Sequence, residues 1–267
     1  GGFPRKRALR GRLHPQALEP MQIESILLTT VRVQTLLGGW HRTNASGFLF
    51  ERGSRLFLVT CRHVVIDPPS EHHPDSLAIE LHMGAGHLSR TTRLIVPLFE
   101  NGLSRWRTCA DAAGDVDVAA IEIAPHLLPQ GVVYRAFSPE NLPPRLESIE
   151  VGQSILVVGY PLGFQDNLHQ LPVVRQATIA SSFGLRFQGQ GYFLTDARTH
   201  RGTSGAPVVL RRTDEGGATA GLPWWLLGVH SARLDVGTRD LVLDEALGLN
   251  CAWYSDVLMT LTEDRPA

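Results

Sequence analysis

Apolar residues along this chain fall in short runs separated by glycine, proline and small polar residues, a pattern of strands and turns rather than of long helices. Ile26 to Val33 reads as a strand and Gly38-Gly39 as a turn. Ser46 to Phe50 and Arg55 to Thr60 then form a hairpin across Glu51 to Ser54. The second arm runs into Cys61-Arg62-His63-Val64-Val65, which leaves His63 where a strand ends, rigid yet able to reach a cleft. Ile79 to His82, Thr91 to Leu98 and the run that follows Gly114-Asp115-Val116-Asp117 are further strands. Five prolines between Pro125 and Val151 break the pattern and mark a linker. Beyond it Ser154 to Pro161, Val173 to Ser182, Gly191 to Thr195, Val208 to Arg211, Trp224 to His230 and Gly248 to Trp253 read as strands. Val208 to Arg211 pairs with Trp224 to His230 across the polar turn Thr213 to Gly217. Ser255 reads as an N-cap, with Val257, Leu258 and Leu261 facing inward from a short C-terminal helix. The chain is all-β with a helical tail, divided into a first half at 21–130, a linker at 131–150 and a second half at 151–267.

Composition narrows the class. Of 267 residues, 43% are apolar and 19% charged, ordinary for a folded chain long enough to bury a core. The 25 basic and 26 acidic residues leave a net charge of −1, so no global field points to nucleic acid or membrane as a partner. Residues 1–20 are the exception: Arg5, Lys6, Arg7, Arg10 and Arg12 cluster without apolar periodicity and read as a disordered tail. The apolar stretch from Ile26 to Leu37 is too short for a membrane span and is interrupted by Arg32 and Gln34. Cys61, Cys109 and Cys251, odd in number and far apart, make no disulfide framework and fit a reducing, cytoplasmic setting. His72, His73 and Asp75, with His82 and His87 nearby, match no standard ligand spacing and read as solvated loop histidines, so no metal or cofactor is expected.

The chemistry gathers around Arg201-Gly202-Thr203-Ser204-Gly205-Ala206-Pro207. Gly202 and Gly205 can adopt backbone angles closed to other residues, which would turn the N–H groups of Gly202 and Ser204 to one point beside the Ser204 hydroxyl. A serine hydroxyl is a weak nucleophile at neutral pH and needs an imidazole to take its proton and a carboxylate to orient that imidazole. His63 supplies the first. Asp115 and Asp117 both precede a buried strand and share a face, so parity leaves either as the second. The order His, Asp, Ser differs from that of subtilisin-type and α/β-hydrolase enzymes. An esterase elbow is also disfavoured, because a β-rich run follows Ser204.

These segments resemble bacterial-type trypsin-like serine peptidases of the chymotrypsin superfamily, close in pattern to HtrA-type proteases and glutamyl endopeptidases. Thr60-Cys61-Arg62-His63-Val64-Val65 resembles the family's Thr-Ala-x-His-Val-Val, with Cys61 in place of alanine. Asp117-Val118-Ala119-Ala120-Ile121 resembles its Asp-Ile-Ala-Val-Leu, which favours Asp117. Gly159-Tyr160-Pro161 and Thr195-Asp196-Ala197 leading to the Ser204 loop resemble its second half. The resemblance implies two antiparallel six-stranded β-barrels with the active site between them and a C-terminal helix on one barrel. It implies Ser204 as nucleophile, His63 as general base, Asp117 as orienting acid, and the Gly202 and Ser204 N–H groups as oxyanion hole.

Selectivity in such enzymes comes from residues before the nucleophile and from a later strand. Arg198 occupies the place where trypsin-like digestive enzymes carry aspartate, and would repel a basic substrate side chain. Thr199 and His230 resemble the donor pair with which glutamyl endopeptidases grip Glu or Gln. The expectation is a monomeric endopeptidase making limited cuts in protein or peptide substrates after Glu, Gln or Asp. The alternative is a degenerate protease-fold module that binds peptide without cutting.

Overall fold

In a computed structural model of the chain, residues 23–84, 86, 88–213, 221–233 and 247–264 are described. The basic cluster at 1–20, His87 and the turn after Thr213 lie outside them. Strands β1 (Thr30–Leu37), β2 (Trp40–Arg52), β3 (Arg55–Thr60), β4 (Ser76–Met83), β5 (Thr91–Pro97), β6 (Trp106–Arg107), β7 (Ala119–Ile123) and β8 (Val132–Val133) form one antiparallel sheet. Its order is β8-β4-β1-β2-β3-β7-β6, with β5 also on β4. Strands β9 (Ser154–Gly159), β10 (Val173–Thr178), β11 (Tyr192–Thr195), β12 (Pro207–Arg211), β13 (Trp224–Arg233) and β14 (Asn250–Tyr254) form the second, in the order β10-β9-β12-β13-β14-β11. A bridge between Ile179 and Thr195 joins the outer strands of the second sheet and closes it. The fold is the chymotrypsin-like pair of barrels. The second has the six strands expected, and the first has eight because the two-residue ladders β6 and β8 extend its edges.

Period-two alternation divides each strand of the second barrel between two interiors. Ile155, Val157, Val208, Leu227 and Phe193 point into the barrel's own core. Their neighbours Val158, Val209 and Leu226 join Phe48, Phe57 and Leu58 of the first barrel and Leu258 and Leu261 of the terminal helix in one continuous cluster. The barrels therefore share a hydrophobic interior, and the cleft between them has fixed walls. β2 shows why: Ala45 to Phe50 are buried on both faces, one inside its barrel and the other against neighbouring segments.

Two sequence expectations shift. Ile26 to Leu28 form a 3-10 turn instead of opening the strand, since the Thr29 hydroxyl donates to the Ile26 carbonyl at 2.7 Å and closes it. Ser255 is not the helix cap. Its hydroxyl donates to the Leu226 carbonyl at 2.6 Å, anchoring α2 (Val257–Leu261) to β13, while α1 (Arg62–Val65) is the single turn that carries His63. Within the 131–150 stretch, β8 pairs with β4, and Phe137 exchanges backbone hydrogen bonds with Leu49 and Glu51. The Phe137 ring is fully buried, edge-on to Phe48 with centroids 5.6 Å apart. Truncating it leaves a cavity that the ladder on either side cannot collapse to fill. Phe137→Ala is expected to lose about 3–5 kcal/mol of stability in denaturant unfolding.

Candidate active site

β3 ends at Thr60 and the chain turns at once into α1, so the His63 N–H lies in the first turn of a helix and has no intrahelical acceptor. Asp117 supplies one. Its Oδ1 accepts the His63 backbone N–H at 2.9 Å and its Oδ2 accepts from the ring Nδ1 at 2.8 Å. One carboxylate thus fixes both the backbone and the ring of His63, leaving Nε2 as the nitrogen turned away from it. The Ser231 hydroxyl, on β13 of the other barrel, donates to the same Oδ2 at 2.5 Å. Asp115, the other acid before the strand, is exposed and pairs with Arg62 at 3.4 Å instead.

Burial pushes His63 down, but the hydrogen bond and charge of Asp117 outweigh it and leave the imidazole above its ordinary range. For Asp117, burial pushes the carboxyl up, and the bonds from His63 and Ser231 more than offset that, holding it below the usual carboxylate range. Cys61, the departure from the family's alanine, lies fully buried beneath this pair and donates to the His230 carbonyl at 3.2 Å. Burial drives its thiol well up, so it is protonated at neutral pH. Among the described residues, Cys61, His63 and Asp117 are the one group of three potential ligand atoms within 4.8 Å of one another. His72 and His82 instead meet the carbonyls of Val64 and His169.

Ser204 and Gly202 line a cleft of about 710 Å³ together with His63. The loop's peptides are oriented by their carbonyls. Arg201 O accepts from Leu162 N at 2.5 Å and Thr203 O accepts from Ala206 N at 2.9 Å. Because a trans peptide points its C=O and N–H in opposite directions, the N–H groups of Gly202 and Ser204 turn away from those contacts. Neither donates to any described residue, whereas Thr203 and Gly205 N–H reach the carbonyls of His200 and His230. Gly202 and Gly205 have φ of +92° and +89°. A Cβ on Gly205 would fall 2.1 Å from Ser46 O and 2.4 Å from Thr60 Oγ1, so no side chain fits.

Ser46 on β2 was not legible as a site residue, yet it ties the loop to the first barrel. Its N–H donates to Ser204 O at 2.9 Å and its hydroxyl to Gly202 O at 2.8 Å, while that hydroxyl accepts from Tyr160 N at 2.9 Å. The Ser46 carbonyl accepts from the Thr60 hydroxyl at 2.8 Å. The available signal was the glycine beside it: Gly47 inside a strand marks close backbone approach, and a Cβ there would meet Val59 O at 2.8 Å.

Comparison with known families matches residues 45–215 to the trypsin-like peptidase domain, well over half of the chain. The chain belongs to the trypsin-like peptidase family. No curated protein matches it in sequence. Among solved structures, this peptidase is similar to the serine endoprotease from Yersinia pestis, at 16% identity and a TM-score of 0.49, covering 88% of this chain and 62% of that one. The chain thus spans less than two thirds of the Yersinia protein's length. It is also similar to the Rv3671c protease of M. tuberculosis H37Rv in its inactive form, at 16% identity and a TM-score of 0.47, covering 88% of both chains.

The three residues expected to set selectivity have different surroundings in the peptidase. Arg198 is exposed. Thr199 is half-buried and donates to Asn250 Oδ1 at 2.9 Å, and Asn250 in turn donates to Ala197 O. His230 is 3% exposed, with Nδ1 lacking a partner among the described residues. Burial and then the charge of His63 push it down to about 4, so it is neutral at working pH. Removing the carboxylate from Asp117 leaves burial as the dominant influence on His63. By NMR, the His63 ring of the wild type should titrate above its ordinary value of about 6.5, and in Asp117→Asn below it.

Proposed function

We propose that this peptidase cuts peptide bonds through Ser204 as nucleophile, His63 as general base and then acid, and Asp117 as the orienting carboxylate. The observation that carries the reading is the two-point grip of Asp117 on His63, with Nδ1 engaged at 2.8 Å, in the cleft that His63 and Ser204 share. Nε2 of the neutral ring takes the Ser204 proton as Oγ attacks the carbonyl carbon. The carbonyl π electrons move to oxygen, and the N–H groups of Gly202 and Ser204 stabilise the resulting oxyanion. His63 then gives its proton to the departing amine as the C–N bond breaks, and water repeats the cycle on the acyl-enzyme. Ser204 Oγ makes no hydrogen bond to the described residues, in keeping with a contact that tightens only when substrate is bound.

On the acyl side, Thr199 and His230 favour Glu or Gln before the scissile bond. A neutral imidazole carries no charge to match Glu, so it supports recognition by hydrogen bonding of an amide or carboxylate oxygen alike. Three free cysteines, Cys61, Cys109 and Cys251, support a reducing, cytoplasmic workplace.

The test is a peptide library cut by the wild type and by Ser204→Ala. The variant should lose about 10⁶-fold in turnover, and the wild type should cut after Glu or Gln. Activity should fall as pH drops through the raised midpoint of His63, since only the unprotonated ring can accept the serine proton. Cutting by Ser204→Ala at the wild-type rate excludes the nucleophile assignment. Preference for a residue other than Glu, Gln or Asp excludes the Thr199–His230 pocket and leaves the nucleophile standing.

A further inference from the structure

The cleft that holds His63 and Ser204 is walled by His41 to Ala45 of β2 and by Leu162, Arg201 and Gly202, and shares no lining residue with Arg198, Thr199 and His230; with the acyl side at those three, as proposed above, this cleft takes the departing half of the substrate. Its charged lining selects little. Arg42 and Arg201 contribute two cations, Asp67 and Glu71 two anions, and their signs cancel. The distinctive lining residue is Leu162. It is 69% exposed and lies in the left-handed region at φ +55° and ψ +20°. A leucine there is strained, and the side chain's exposure means that core packing does not compensate it. The backbone is held in place by the Leu162 N–H on Arg201 O at 2.5 Å and the Gly163 N–H on Tyr160 O at 2.9 Å. Since Arg201 immediately precedes Gly202, the same hydrogen bond ties Leu162 to the peptide that orients the proposed oxyanion hole. A glycine would relieve the strain but would remove the apolar side chain from the cleft.

We propose that Leu162 is a specificity residue of the leaving-group side. It contacts the side chain of the residue immediately after the scissile bond and selects an apolar one. The inference rests on the peptidase reading above, which fixes where the leaving group lies. A peptide whose next residue is Leu, Met or Phe covers the Leu162 side chain and withdraws both from water, whereas Ser or Gly leaves it exposed.

Peptides varied only after the scissile bond provide the test, with wild type, Leu162→Gly and Leu168→Ala. Leu168 is 65% exposed and belongs to the segment that follows, but does not line the cleft. The wild type should prefer Leu over Ser by about tenfold in kcat/KM. Leu162→Gly should reduce this to within about twofold and raise Tm, because glycine is at ease at positive φ. Leu168→Ala should keep the wild-type preference. Binding of the same uncleaved peptides to Ser204→Ala, with and without Leu162→Gly, reads the preference without turnover. An unchanged preference in Leu162→Gly, or equal binding of Leu and Ser peptides by Ser204→Ala, overturns the assignment. A wild type that cuts nothing contradicts the peptidase reading instead, and the binding measurement still decides the role of Leu162.

Discussion

Ser46 is fully buried and uses its N–H, hydroxyl and carbonyl at the junction of the two barrels. Two of these bonds end on the carbonyls of Gly202 and Ser204, and a third comes from Tyr160 at the end of β9. A buried polar group without a partner is destabilising by about 1–3 kcal/mol, so any shift of the Ser204 loop relative to β2 would strand several such groups together. Gly205 belongs to the same constraint, because the approach that makes the bonds short also removes the room for a Cβ.

The constraint reaches His63 and Asp117 through two further contacts across the junction. Cys61 donates to the carbonyl of His230, which also accepts the Gly205 N–H, so β13 touches both the His63 turn and the Ser204 loop. Ser231, the next residue on β13, donates to Asp117. His63 and Asp117 come from the first barrel, Ser204 and the Ser231 hydroxyl on Asp117 from the second, and the shared apolar cluster around Phe57, Val209 and Leu258 holds the halves together. Preorganisation of this kind means that little needs to move when charge develops on the substrate oxygen.

Much of this was legible in the chain because its signals are local. The glycine-framed Ser204, the strand ending at His63 and the acid before a buried strand each stand within a few residues, and their order could be compared with a family. Strand alternation likewise exposed the all-β architecture. Legibility failed where a partner is distant in sequence: nothing near Ser46 points to Gly202, nor anything near Ser231 to Asp117. The strand predicted from Ile26 begins only at Thr30 for a smaller reason, a threonine hydroxyl bonding locally to the Ile26 carbonyl. The hydrogen bond from Thr199 to Asn250 likewise joins residues far apart in the chain and could not be read from spacing.

The central claim is that Ser46 fixes the loop that carries Ser204, the proposed nucleophile. The direct measurement is the rate at which a fluorophosphonate labels the folded protein, with the modified residue mapped by mass spectrometry in wild type and in Ser46→Ala. Labelling of the wild type at Ser204, slowed about tenfold or more in a Ser46→Ala protein that remains folded, is the result expected. A wild type that is not labelled at Ser204, or a folded Ser46→Ala protein labelled at the same rate, contradicts it.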